Sequence, residues 1–226
     1  MLPALSLPRR MTAEALGSAL LLAAVVGSGI MGERLAQGND AVALLANTLA
    51  TAAALAVLIL VFGPVSGAHF NPVVTAVSAF EGRTPWRDVP PYLLAQVAGA
   101  FLGVAAANTM FGNAVFSASQ HARGGYGQLL GEGIASFGLL VTVLGCARHR
   151  PSATPFAVAA YIASAYWFTS STSFANPAVT LARSASDTFT GIRPVDVLPF
   201  VAAQIAGAAV ATLLFRWLLP AEKAPA

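Results

Sequence analysis

Twice in this chain an apolar stretch too short to cross a bilayer carries the same pattern. It reads Phe70-Asn71-Pro72-Val73-Val74-Thr75 in one place and Ala175-Asn176-Pro177-Ala178-Val179-Thr180 in the other. Asn is a preferred N-cap, and Pro suits the first helical position because the N–H it lacks had no partner there. Each pattern therefore predicts a short helix of about two turns, Val73–Phe80 and Ala178–Ala185. Such a half-helix is tolerated at membrane depth only where protein or a water-filled cavity shelters its irregular lead-in. Paired broken helices in duplicated halves place a permeation or binding site where their N-termini meet.

Other landmarks repeat in the same order. Gln96-Val97-Ala98-Gly99-Ala100 recurs as Gln204-Ile205-Ala206-Gly207-Ala208, and Glu14 and Glu132 each stand near the start of a half's first long apolar run. Six runs approach the roughly 20 apolar residues a crossing needs. They are Thr12–Met31, Ala41–Phe62, Val89–Phe111, Gly125–Cys146, Thr154–Thr172 and Val195–Leu219. The composition agrees: 57% of residues are hydrophobic and 9% charged, against about 25% charged in a soluble domain. That excludes a soluble enzyme, a disordered chain and a nucleic-acid binder. The net charge of +3 comes from scattered basic residues, with no stripe that would track phosphates. The single cysteine, Cys146, allows neither an intramolecular disulfide nor a cysteine cluster for zinc.

The expected fold is an all-α membrane protein of six transmembrane helices plus two re-entrant half-helices. One domain should span residues 1–226, with repeat one at about 10–112 and repeat two at about 125–219. Three spans per half is an odd number, so the second copy must be inverted. With a cytoplasmic N-terminus, the inside segments hold Arg9, Arg10, Arg83, Arg87, Arg148, Arg150, Arg216 and Lys223. The outside segments then hold Arg34, Arg123, Arg183 and Arg193. This bias favours both termini inside, and the expected location is the inner (plasma) membrane.

Half-helices entering from opposite faces point their positive dipole ends at one central region, where the Asn71 and Asn176 amides offer N–H donors to a passing oxygen. Such a field repels cations and lets neutral hydrogen-bonding solutes through. The expected activity is passive permeation of water and small neutral solutes, with no reaction, metal or cofactor.

Ser66-Gly67-Ala68-His69-Phe70-Asn71-Pro72-Val73-Val74-Thr75 resembles the signature loop of the aquaporin (major intrinsic protein) family, and Asn176-Pro177-Ala178 resembles its second box. The resemblance spans essentially the whole chain. It implies the right-handed aquaporin bundle, embedded in lipid and usually a homotetramer with one pore per subunit. It also implies pore roles for Asn71, Pro72, His69, Asn176 and Pro177. Val73 replaces the usual Ala of the first box. More consequentially, Val179 stands where most relatives place an Arg that walls the outer constriction. Ungapped alignment puts the other constriction positions at Thr51, Ser164 and Ser173, a filter expected to be wide and hydroxyl-lined. Asn-Pro-Ala-Val-Thr-Leu-Ala-Arg followed by Ser186–Ile192 resembles a bacterial branch linked with arsenite-type metalloid permeation.

Arg183 lies one turn beyond Val179, about 6 Å further along the half-helix. It is expected to pair with Asp187 or reach a loop carbonyl rather than line the pore. Glu14 and Glu132 either brace the lead-in loops or form the relay of a proton-coupled transporter, and their matched positions favour the first role. Gln96 and Gln204 are expected to brace the half-helices. Gly99, Gly103, Ala107, Gly207 and Ala211 suit close helix packing.

Overall fold

The computed structural model describes residues 5–218. Lys223 and the last residue of the expected second repeat, Leu219, lie outside that range. Eight α-helices run in the order α1 (Leu7–Ala36), α2 (Asp40–Ser66), α3 (Pro72–Phe80), α4 (Val89–Met110), α5 (Tyr126–His149), α6 (Thr154–Phe168), α7 (Pro177–Arg183) and α8 (Pro194–Leu218). Among the described residues there is no strand. Both half-helices begin at the expected cap: Asn71 Oδ1 accepts from Val73 N, and Asn176 Oδ1 from Ala178 N and Val179 N.

The helices α1, α2, α4, α5 and α8 are long and apolar enough to cross a membrane. The fifth expected span is shorter than its sequence suggests, because α6 has 15 residues and stops at Phe168. Its last turn and the residue after it carry hydroxyls bonded back onto the helix. Ser164 Oγ donates to Tyr161 O, and Thr169 Oγ1 to Ala165 O, side-chain bonds that compete with the helical ladder. Beyond Thr169, Thr172, Ser173 and Ala175 take positive φ, a conformation rare outside glycine.

The tightest pairs are α1 with α4 and α5 with α8, made by glycine. A Cβ at Gly99 would strike the carbonyl of Ala15, one at Gly103 that of Ala19, and one at Gly207 that of Gly133. Small residues let helix backbones approach this closely where burial from water gives no drive between helices.

The half-helices are exchanged between two cores. Ala178, Val179 and Ala182 of α7 pack with Leu22, Val25, Val26 and Val104 of the first half. Val73 and Val77 of α3 pack with Leu139, Leu140, Ile162 and Ala208 of the second. Their far ends lie at opposite ends of α4. The turn after α3 leads to Asp88, at the start of α4, which pairs with Arg10 at 2.8 Å. The turn after α7 holds Ser186, whose Oγ bonds Asn108 Oδ1 at 2.9 Å near the end of α4. Some 20 helical residues separate those two points, about 30 Å, the thickness of a bilayer's hydrocarbon core.

Candidate pore

The two Asn caps meet at the centre. Asn71 Nδ2 donates to Ala175 O at 2.8 Å, and Asn176 Nδ2 donates to Phe70 O at 2.7 Å. Each loop is thus held by the other half's cap. An amide nitrogen carries two hydrogens, and among the described residues each Nδ2 spends one. The second is left for a guest, and both residues line a cavity of about 410 Å³.

The lead-in loops match residue for residue. Positive φ occurs at Gly67, Ala68 and Phe70 in one, and at Thr172, Ser173 and Ala175 in the other. Gly67 N donates to Gly63 O, Thr172 N to Thr169 O, Ala68 N to Ser66 Oγ and Ser173 N to Ser171 Oγ, and the glutamates take the N–H groups nearest the Asn caps. Glu14 Oε1 accepts from Ser66 Oγ at 2.6 Å and His69 N at 3.0 Å, while Oε2 accepts from Phe70 N at 2.7 Å and Gln96 Nε2 at 2.8 Å. Glu132 accepts from Phe174 N at 2.8 Å, Ala175 N at 2.9 Å and Gln204 Nε2 at 2.6 Å. Gln96 and Gln204 also reach Thr75 Oγ1 and Thr180 Oγ1, each at 2.8 Å, tying α4 and α8 to the half-helices. Both glutamates are fully buried, and neither glutamate nor either glutamine lines the cavity.

Of the residues expected in the pore, Thr51, His69, Asn71, Ser173, Asn176 and Val179 line this cavity. Pro72 and Pro177 do not; they border a separate apolar groove of about 590 Å³ with Leu93 and Ile205. Their part is to start the helices. Ser164 is exposed on the outside of α6, turned onto Tyr161 O. Tyr166 lines the cavity instead, with its hydroxyl 3.4 Å from Thr51 Oγ1. Two residues is about 200° around a helix, and the extended linker after α6 defeats a count made back from Asn176. Tyr166 thus brings an aromatic ring to the cavity where the Ser164 hydroxyl was expected. Trp167, the next residue, is exposed and does not line the cavity.

His69 Nδ1 lies 3.1 Å from Thr75 Oγ1, and its ring tilts against Tyr92 at 5.5 Å between centroids. Ser173 Oγ is buried and, among the described residues, has no partner. At the α3 end the cavity is bordered by Arg10, Glu81, Arg83, Thr84 and Thr154; at the α7 end, by Phe174 and Arg183.

Of the two partners expected for Arg183 the structure shows the loop carbonyl and not Asp187, and against expectation the residue also lines the cavity. Its Nε donates to the carbonyl of Thr190, while Asp187 accepts from Gln120 N at 2.8 Å. Two residues of this region escaped the sequence reading. Phe174 occupies the repeat position of His69, so the duplication itself pointed to it. Arg123 sits in the connection before α5, where nothing in the sequence distinguished it from a solvated loop residue. It is buried, donating from Nε to Gly191 O at 2.6 Å and from Nη2 to Phe189 O at 3.2 Å. Neighbouring His121 has its pKa lowered, first by partial burial and then by the charges of Arg123 and Arg183.

Comparison with known proteins decides the family. The sequence matches the description Major intrinsic protein over residues 1–169. It is also 54% identical over 213 residues to aquaglyceroporin AqpS of Rhizobium meliloti (strain 1021), covering 94% of this chain and 91% of that protein. The chain belongs to the major intrinsic protein family. A probable glycerol uptake facilitator protein of Thermotoga maritima is 36% identical over 94 residues, covering 40% of this chain and 39% of its own. The X-ray structure of the aquaglyceroporin from Plasmodium falciparum superposes with a TM-score of 0.77 at 20% identity, covering 95% of this chain and 98% of that one. That likeness shows the aquaporin-like fold. Members of the major intrinsic protein family are channels and not enzymes, so the protein is a multi-pass membrane channel for small solutes.

Proposed function

We propose that this channel passes water and small neutral solutes of the glycerol kind, with neutral metalloid acids of the arsenous type among them. The observation that carries the reading is the paired Asn centre, where each amide has one hydrogen bonded across the repeat and one free toward the cavity. Two fixed donors at one point replace part of a passing hydroxyl's hydration. A cation gains nothing from them and meets two helix N-termini as well. Outside that point, Thr51, Tyr166, Ser173 and Val179 set the width, and the unpartnered Ser173 hydroxyl is free to bond a solute. Val179 leaves room that an Arg would fill. A triol and a trihydroxy acid both suit such a lining, and the metalloid assignment rests on the likeness of the second box.

In the same reading, one domain of two inverted repeats, about 10–112 and 125–219, assembles as a homotetramer in the plasma membrane with both termini cytoplasmic. The saturated glutamates favour a passive pore over a proton-coupled transporter, since a relay carboxylate must release the partners that Glu14 and Glu132 hold.

Stopped-flow light scattering on proteoliposomes tests the proposal. Vesicles should shrink under an impermeant osmolyte and re-swell rapidly under glycerol or arsenous acid, whatever the pH gradient. An Asn176→Asp variant that still inserts should lose that re-swelling. Water flux without any solute re-swelling would overturn the wide-pore reading, and flux driven by a pH gradient would favour the transporter.

A further inference from the structure

A channel with Val179 in the outer constriction lacks the fixed cation that position usually carries. The missing charge stands one turn along the same helix face. Val179 and Arg183 are four residues apart on α7 and both line the cavity, so Arg183 borders the path of a solute about 6 Å beyond Val179. Its guanidinium is held from two directions. Nε donates to the carbonyl of Thr190, and the plane lies 3.3 Å from the centroid of the Phe174 ring. Among the described residues no acceptor takes the Nη hydrogens and no carboxylate pairs with the group. It is nonetheless 2% exposed. A buried charge without an ion pair is costly unless it is put to use.

Arg123 is arranged differently. It lies 5.0 Å from the same ring but outside the cavity lining. Its donors are spent on Gly191 O, Phe189 O, Ser171 O and Thr172 Oγ1. It clamps the linker that positions Phe174 and adds a second positive charge behind the first. One arginine is consumed in structure and the other presents free donors to the pore.

We propose that Arg183 is the outer cation barrier of this channel, ahead of the helix N-termini at the Asn centre, replacing from one helical turn further out the charge that position 179 does not carry. Its free Nη donors form the outermost polar contact for a neutral solute, and its charge repels any cation of the same size. The wide constriction at Val179 and the exclusion of cations are thereby separated into two successive places. Thr190, Phe174 and Arg123 are its positioning residues. The inference rests on the channel reading above.

Urea and guanidinium have nearly the same shape and differ in charge, so the ratio of their permeabilities in proteoliposomes isolates the barrier. The wild-type channel should pass urea and exclude guanidinium. Arg183→Gln should raise the guanidinium-to-urea ratio at least about tenfold. Adding Val179→Arg to that variant should bring the ratio back down, since the charge returns to the helix face. Should Arg183→Gln fail to fold, Arg183→Lys provides the test. Burial lets a lysine lose its proton within reach of mild alkali. Its ratio should therefore match wild type near about pH 6 and rise reversibly toward about pH 10, while wild type stays flat. The inference is overturned by guanidinium passing wild type as readily as urea. It is equally overturned by an unchanged ratio in a urea-conducting Arg183→Gln, or by a flat Arg183→Lys profile. A wild-type channel that passes no neutral solute overturns the proposed function itself, a distinguishable failure.

Discussion

At the scale of single residues, position 179 has the largest effect for the smallest change. Val179 lines the cavity with Thr51 and Tyr166, and in the proposed function these residues set the outer width. Val179→Arg introduces a long cationic side chain there, one turn from the buried Arg183. Glycerol flux should fall at least about tenfold while water flux falls far less, read from shrinkage and re-swelling rates of the same vesicles. Glu132 makes the second residue-scale prediction. Glu132→Gln replaces an acceptor of three hydrogen bonds by a group with one acceptor oxygen and an NH2 that faces other donors. Each N–H left unsatisfied costs about 1–3 kcal/mol, so the thermal midpoint in detergent should drop markedly. Protein that survives should still show flux indifferent to a pH gradient. Loss of pH coupling without loss of stability would be the signature of a transporter.

Helices supply the next scale. The α1–α4 and α5–α8 contacts depend on glycines whose absent Cβ atoms leave room for a neighbouring backbone carbonyl. A carbonyl on a helix cannot swing aside as a side chain can. Gly99→Val and Gly207→Val should therefore each destabilise by about 1–3 kcal/mol or more. Gly145→Ala should be neutral or gain up to about 1 kcal/mol, because a Cβ there meets only Phe215 at an ordinary 3.5 Å and helical Gly is intrinsically unfavourable. Thermal unfolding of the three variants in one detergent checks both statements. These contacts were legible in the sequence, as were the Asn caps and the Glu–Gln braces, because each is a local pattern written twice. Tyr166 was not. Its place depends on where α6 ends, and past that end the backbone takes positive φ and Glu132 takes N–H groups from a loop 42 residues away. Arg123 was illegible for a related reason: its acceptors, Gly191 and Phe189, belong to a segment that only the tertiary fold brings near.

For the whole molecule, the outward faces carry the prediction. In its most apolar window α2 is 22% buried against 56% for α1, and Leu45, Leu49, Val57 and Leu60 stand exposed along it. A belt of that kind faces lipid or other copies of the chain. Native mass spectrometry from a mild detergent should show four copies. A monomer that retains full solute flux would confine function to one chain, without a part for the assembly.

The exchange of half-helices between the two cores bears on the order of events during synthesis. When the first half emerges from the ribosome, Glu14 already sits on α1, upstream of the loop it holds. That loop can be shaped early. The core of the same half, however, is completed by Ala178, Val179 and Ala182, residues translated long afterwards. The early half therefore waits in the membrane with a groove open along Leu22, Val26 and Val104. The two reciprocal bonds between Asn71 and Ala175 and between Asn176 and Phe70 cannot form until the second half is made. A chain halted before the second half-helix thus lacks one of the two Asn caps and part of its first core.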